Sequence, residues 1–416
     1  MFKAYKYRLL PNKEQMKYIN RCIGCARFVY NNLLSDYKSQ LENNVEKPKL
    51  KEVTFLKKSN EFLNEVDSMA LANSKMNLQN ALKNFFNSRN GKRKGKKLGF
   101  PKAHKKKTSR LSYTTNNQCG NVRIEGNMIK LPKIGYIEMI YHREIKGTIR
   151  SVTVSRDRDE RYYISILTEF DYEKYKKEIN LNNLKVVGID MSFKEFAVDS
   201  DANPNDTKPK FHRNYRESEK RRARYNRQMS RKKKGSKSRV KARIKLARLD
   251  RKIANRRKDY CHKISKYYAT NYDVIVLEDL NMQQMQKGLK GSGKSVSDLG
   301  FGMFKSYLSY KCDLYDSCLL YADKWFPSSK TCNHCGEVNK SLQLSDREWV
   351  CPHCGCVIGR DYNAACNLRD YFFQVIDMNT DGTSGIYAVG EDASTLRKTL
   401  MQAFSLKAEA PNFRWG

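Results

Sequence analysis

The chain has 416 residues, 39% of them hydrophobic, and carries 81 Lys and Arg against 44 Asp and Glu, a net charge of +37. At roughly 150 residues per domain, this length sets an expectation of two or three domains. The composition excludes a membrane-spanning helix, because no run of about 18 apolar residues exists. The opening Met1 to Arg8 has neither the apolar stretch nor the small-residue cleavage site of a secretory leader. Twelve Cys, unevenly spaced, are too sparse for a disulfide scaffold. So large an excess of cations repels itself and calls for a polyanionic partner. Nucleic acid fits a charge that runs through the whole chain better than an acidic membrane surface, which needs charge beside one anchor.

In chain order, Pro11-Asn12 is a helix start signal, and Lys13 to Tyr37 carries helical periodicity. Cys22 and Cys25 form a C-x-x-C pair on that helix without a second pair, which reads as buried small residues rather than a metal or redox site. Leu56 to Phe86 also reads as helix. The run Asn90 to Lys97 contains Lys92 and Arg93 and is continued by Lys102, Lys105, Lys106 and Lys107. Glycines and Pro101 break it, so it is expected to be a basic loop that touches phosphates. From Leu111 to Thr168, short β-prone runs at Val122–Ile124, Met128–Leu131, Ile137–Tyr141, Ile149–Val154 and Tyr162–Leu167 alternate with turns, the pattern of a small barrel or sandwich.

From Leu184 onward strands and helices alternate, as in an α/β domain. A second cationic zone runs from Arg213 to Lys258, with Gly235-Ser236 as a turn between two helices. In the second helix Leu246, Leu249, Ile253, Tyr260, Ile264 and Tyr267 recur at helical spacing and predict an inward face. Arg243, Lys245, Arg248, Arg251, Lys252, Arg256 and Arg257 crowd the other faces. Like charges at i,i+4 destabilise such a helix unless a polyanion lies alongside. After Asp377 periodicity fades and the tail reads as peripheral.

Two constellations carry chemistry. Cys332, Cys335, Cys351 and Cys354 have the spacing C-x2-C-x15-C-x2-C. Each two-residue gap lets a pair of thiolates bite one ion, and four thiolates close a structural Zn2+ site with no open position. His334, His353 and Cys356 lie nearby and are not needed for four-fold ligation. The second constellation is three acids. Val186–Asp190 and Val274–Glu278 are buried-strand runs that each end in an acid, and Asp361 opens a helix just past the last zinc-type Cys. Two acids at neighbouring strand ends with a third from a facing helix supply the oxygen ligands for two Mg2+ ions acting on a phosphodiester. Gly288 to Ser295 matches the phosphate-loop pattern in full. It neither follows directly from a strand nor opens a helix, so no nucleotide cofactor is expected.

Together these motifs resemble the TnpB (OrfB) family of transposon-encoded RNA-guided DNA endonucleases, relatives of the compact type V CRISPR effectors. The resemblance is carried by Tyr5 to Gln15, Cys25 to Asn31, Gly99-Phe100-Pro101-Lys102, Pro327 to Cys332 and Asp361-Tyr362-Asn363-Ala364-Ala365, with Asp190, Glu278 and the four-Cys ribbon between the second and third acids. One departure is Met191-Ser192, where a glycine is frequent in the family; Ser192 is small enough to keep the turn. The resemblance implies a multidomain α/β-plus-β protein. Residues 1–10 would be the first strand of a wedge-type β-barrel, 11–110 a helical recognition lobe and 111–180 the barrel. Residues 181–329 and 357–376 would form an RNase H-like (RuvC-type) nuclease core interrupted by a zinc ribbon at 330–356, with a peripheral or disordered tail at 377–416.

It further implies a guide RNA from the transposon end, a double-stranded DNA target cut beside a short transposon-adjacent motif, and a cytoplasmic, nucleoid-associated location without membrane attachment. Asp190, Glu278 and Asp361 become the catalytic Mg2+ ligands. Lys92, Arg93, Lys102, Arg243, Arg248, Arg251 and Arg256 become nucleic-acid contacts. Guide pairing would supply sequence specificity, leaving the protein to bind backbone charge. Two alternatives stay open on the sequence: a nuclease-inactive RNA-guided regulator, and an RNA-independent junction nuclease or transposase accessory protein.

Overall fold

The computed structural model describes residues 2–93, 95–106, 109–170, 184–192, 195–201, 208–210, 215–279, 300–343 and 346–379. The phosphate-loop-like run Gly288–Ser295, Lys94, Lys107 and the tail beyond Asn379 lie outside them. Two compact units emerge. One comprises Met1–Asp171 with Met229–Ala247, the other Tyr172–Gln228 with Arg248–Gly416.

The first unit opens with strand β1 (Phe2–Leu9), followed by helices α1 (Lys13–Glu42), α2 (Val53–Ser59) and α3 (Ser68–Arg89). Asn12 starts α1 through a capping box: it accepts from Gln15 N at 2.8 Å, and Gln15 Oε1 accepts from Asn12 N at 3.0 Å. Cys22 and Cys25 sit on the buried face of α1 with Ile19, Val29 and Leu33. Burial pushes the Cys22 thiol up to about 11, which makes it inert. The expected helix over Leu56–Phe86 is divided instead. Asn60 leaves helical geometry at φ −144°, and Asp67 starts α3 afresh by accepting from Met69 N at 3.0 Å.

Then come β2 (Leu111–Asn116), β3 (Arg123–Glu125), β4 (Met128–Leu131), β5 (Gly135–Ile140), β6 (Thr148–Arg156) and β7 (Tyr162–Glu169). They join β1 in one seven-stranded antiparallel sheet of order β2-β6-β7-β1-β5-β4-β3. Burial alternates strictly along β7, as period-2 side-chain placement requires. The buried face shares one core with α1 and α3.

The second unit is built on β8 (Val186–Asp190), β9 (Val198–Asp199), most of helix α4 (Tyr215–Ser230), the part of helix α5 (Lys237–Asn271) beyond Ala247, β10 (Val274–Glu278), α6 (Phe301–Tyr315) and β11 (Cys318–Ala322). Strands β12 (Glu348–Val350) and β13 (Val357–Gly359) and helix α7 (Arg360–Asn379) complete it. The sheet order is β11-β10-β8-β9, with β10 parallel to both β11 and β8 and β9 antiparallel to β8. Its two faces bury different partners. Val187, Ile189, Ile275, Leu277 and Leu319 pack with residues of α5 and α6, whereas Val274, Val276, Leu320 and Ala322 pack with Leu368, Tyr371, Phe372 and Val375 of α7. This is a three-layer α/β/α arrangement.

The inward face expected for α5 is buried only over its last turns, at Cys261, Ile264, Ser265, Tyr268 and Ala269. Leu246, Leu249 and Ile253 are only half-buried, so the cationic first part of the helix draws little stability from packing. Among the described residues, no helix is long and apolar enough to cross a membrane.

Candidate active site

Strand parity places the acids. Residues 274 and 276 face α7, so Glu278, two further on, shares their face. Asp190 follows Gly188 by the same step, and β8 and β10 run in register with Ile189 opposite Leu277. Gly188 is where α7 crosses the sheet. A Cβ there would lie 2.1 Å from Ala365 O and 2.4 Å from Arg369 N, so only glycine admits the helix this closely. Asp361, in the first turn of α7, is thereby held over the same sheet end.

Asp190 feels the other two carboxylates. Burial, and then the negative charges of Glu278 and Asp361, push Asp190 up to about 8. Glu278 is also raised, chiefly by burial, and this is opposed by a hydrogen bond from Ser328 and by the charges of Lys305 and Arg360. Ser328 Oγ donates to Glu278 Oε1, and Ser192 Oγ donates to Asp361 Oδ2 at 2.7 Å. Lys305 Nζ donates to the Glu278 carbonyl at 2.8 Å, and Arg347 Nη1 stands 3.5 Å from Asp361 Oδ2. An all-oxygen, net negative set at one sheet end has the donor chemistry that hard divalent cations require. A cation would relieve the repulsion that the fold otherwise enforces.

The ribbon is built from two like knuckles. Cys335-Gly336 and Cys354-Gly355 each place glycine at positive φ, +77° and +72°. The Gly336 and Gly355 amides return to the carbonyls of Cys332 and Cys351 at 2.8 and 2.9 Å. The four Sγ atoms lie within 4.8 Å of one another, with Cys332–Cys354 at 3.7 Å and Cys335–Cys351 at 3.6 Å. A tetrahedral Zn2+ site with ligand bonds near 2.3 Å has edges of about 3.8 Å, so the thiols already have the shape of the site. Backbone hydrogen bonds from Cys354 and Cys356 lower the Cys351 and Cys354 thiols, which favours the thiolate that a metal needs, whereas Cys332, chiefly by burial, and Cys335 are raised. Trp349, Leu342 and Ile358 give the ribbon its small core. Its last strand, β13, runs directly into α7.

The expected nucleic-acid residues are distributed rather than gathered. Lys92, Arg93 and Lys102 are exposed on the segment after α3. Arg243 pairs with Glu160 at 3.1 Å, Arg248 and Arg256 are exposed, and Arg251 is half-buried. Sequence reasoning missed Ser192, Ser328, Lys305, Arg347 and the asparagines Asn333, Asn363 and Asn367. One signal was available: two Asn four apart on the Ala-rich start of α7 are unusual company for a buried helix face.

Parallel strands ending in acids, a helix bringing a third acid and a ribbon whose four cysteines could hold a metal ion define an α/β protein with a four-cysteine ribbon. Comparison with known proteins places it further. Family profiles match at residues 167–288 ("Probable transposase", of the OrfB type found in IS605 elements), 301–368 ("Cas12f1-like, TNB domain") and 1–46 ("Helix-turn-helix domain"). The last of these covers β1 and the single long helix α1. A Streptomyces pristinaespiralis protein named "Putative RNA-guided DNA endonuclease" is 34% identical over 375 residues, 88% of each chain. InsQ of Escherichia coli, named in the same terms, is 29% identical over 385 residues, 88% of this chain and 91% of its own. A Cas12f1 chain solved in complex with sgRNA and target DNA shares the fold, with a TM-score of 0.53 at 12% identity over 89% of this chain and 98% of that one. The chain belongs to the TnpB (OrfB) family.

Proposed function

We propose that this protein is an RNA-guided DNA endonuclease. A guide RNA, transcribed from the transposon end, selects a double-stranded DNA target beside a short adjacent motif, and both strands are cut by phosphodiester hydrolysis. The observation that carries the reading is the meeting of Asp190, Glu278 and Asp361 at one end of the β8–β10 pair. On this reading the second unit is an RNase H-like, RuvC-type core interrupted by the zinc ribbon. The seven-stranded sheet is the wedge and the N-terminal helices the recognition lobe. The protein acts at the nucleoid.

Asp190, Glu278 and Asp361 would hold two Mg2+ ions. Bound there, the cations supply an activated water and neutralise charge developing on the phosphate. The residues themselves supply fixed negative charge and orientation: Ser328 and Ser192 each hold one carboxylate by a hydrogen bond. In-line displacement of the 3′ oxygen leaves 5′-phosphate and 3′-hydroxyl ends. Lys92, Arg93, Lys102, Arg243, Arg248, Arg251 and Arg256 contact RNA and DNA backbones. The intact acid trio argues against the nuclease-inactive alternative.

The test is to sequence the RNA that copurifies with the protein, supply a DNA target matching it, and compare wild type with Asp190→Ala. Wild type should cut only with Mg2+, and the variant should bind the target without cutting. Undiminished cutting by Asp190→Ala overturns the assignment, as does unaided cutting of branched DNA by protein carrying no RNA.

A further inference from the structure

Asn363 and Asn367 lie four residues apart on α7, so their amides leave one face of the helix. Both are buried, at 4% and 6% exposure. Asn363 Nδ2 donates to the Thr331 carbonyl at 2.7 Å and to the Ser328 carbonyl at 3.5 Å. Asn367 Nδ2 donates to the same two carbonyls, each at 2.7 Å. The amide oxygens are used as well. Asn333 N donates to Asn363 Oδ1 at 2.9 Å, and Asn333 Nδ2 donates to Asn367 Oδ1 at 3.0 Å and to Asp370 Oδ2 at 2.7 Å.

Asn333 sits between the ribbon thiols Cys332 and Cys335. Ser328, 2% exposed, passes the chain of contacts on to Glu278. One connected set of hydrogen bonds therefore joins the first zinc knuckle, the loop 327–331, the helix that carries Asp361 and the strand that carries Glu278. Carboxamides suit the task because each offers donors and an acceptor without charge, so both ends can be satisfied in a buried place. A carboxylate would offer no donor to the two carbonyls.

We infer that Asn363 and Asn367 are positioning residues which couple the metal-loaded ribbon to the acids, so that an ordered first knuckle is a condition for setting Glu278 against Asp361. The inference rests on reading those acids as the Mg2+ site. It makes zinc more than a fold staple: the ion orders the knuckle that presents Asn333, and Asn333 completes the amide set on α7.

The experiment uses the full-length protein with its copurified RNA, in wild-type, Asn333→Ala and Asn367→Ala forms. Zinc content, RNA affinity, the Mg2+ concentration that half-saturates the rise in thermal midpoint, and cutting against Mg2+ concentration are measured. The expected result for Asn333→Ala is full zinc and unchanged RNA affinity. Half-saturating Mg2+ rises about tenfold, the usual effect of losing a group that orients a metal ligand, and excess Mg2+ restores cutting. Asn367→Ala should shift further in the same direction.

Wild-type Mg2+ dependence in Asn333→Ala overturns the coupling, whether or not Asn367→Ala folds, because Asn333 is exposed and its removal leaves α7 packed. Loss of zinc from Asn333→Ala overturns it too, since the side chain would then serve the ribbon alone. If wild type neither responds to Mg2+ nor cuts, the active-site reading itself fails and takes this inference with it.

Discussion

Ser192, two residues past Asp190, donates its hydroxyl to Asp361 from a position only 4% exposed. Ser328 serves Glu278 in the same way, so two of the three acids are oriented by hydroxyls that titrate nowhere near neutrality. Away from the site, Lys311 is a residue held at a cost. It is 7% exposed, and burial followed by the charge of Lys266 lowers it to about 8. Its ammonium donates to the His262 carbonyl and, at 2.8 Å, to Ser265 Oγ. A lysine whose folded pKa lies below its unfolded value destabilises the fold fully below the folded pKa, and the deficit fades as pH rises toward the unfolded value. The window here is about pH 8 to 10.5. Lys311→Met should therefore gain thermal stability relative to wild type at pH 7, and the gain should shrink between pH 8 and 10. Paired melting curves at those pH values check it, and a gap that stays constant with pH rules it out.

Helix α7 is the element on which the second unit turns, because it closes one face of the sheet, continues from the ribbon and carries Asp361. Its closeness depends on Gly188. A methyl group there meets backbone atoms of α7 at 2.1 and 2.4 Å, which no side-chain rotation can relieve. Gly188→Ala should cost about 3 kcal/mol, the upper end for overpacking, and abolish cutting. Urea unfolding followed by circular dichroism tests it, with Gly99→Ala as a control at a position with open space. Much of this element was legible in the sequence. The two strand-end acids and the helix-borne Asp361 were legible, and the Cys spacing announced the ribbon; that Asp190 and Glu278 share one face follows from the observed register. What was not legible is which loop atoms α7 holds. Asn363, Asn367 and Ser328 meet only in space, across 35 to 39 residues of chain. The division of the Leu56–Phe86 segment was also hidden, because it rests on caps at Asn60 and Asp67 inside an otherwise helical pattern.

At the scale of the whole molecule, the net charge of +37 and the three acids do opposite work. The cationic first part of α5 has no buried residues to hold it, so its arginines can serve a polyanion rather than a core. Binding of that kind acts through counterion release, which makes it weaken with salt in proportion to the phosphates neutralised. Arg248 and Arg256 are exposed on this helix and are the sharpest probes. Changing both to Gln should weaken RNA binding about equally for all sequences. The slope of log affinity against log salt should fall by about 0.7 to 0.9 for each phosphate left without its arginine, the smaller figure for single strands and the larger for duplex. Filter binding or fluorescence anisotropy across a salt series gives the slope directly. A weaker affinity at unchanged slope would mean that the arginines act through the protein's own structure. A change confined to one RNA sequence would mean that they read bases rather than backbone.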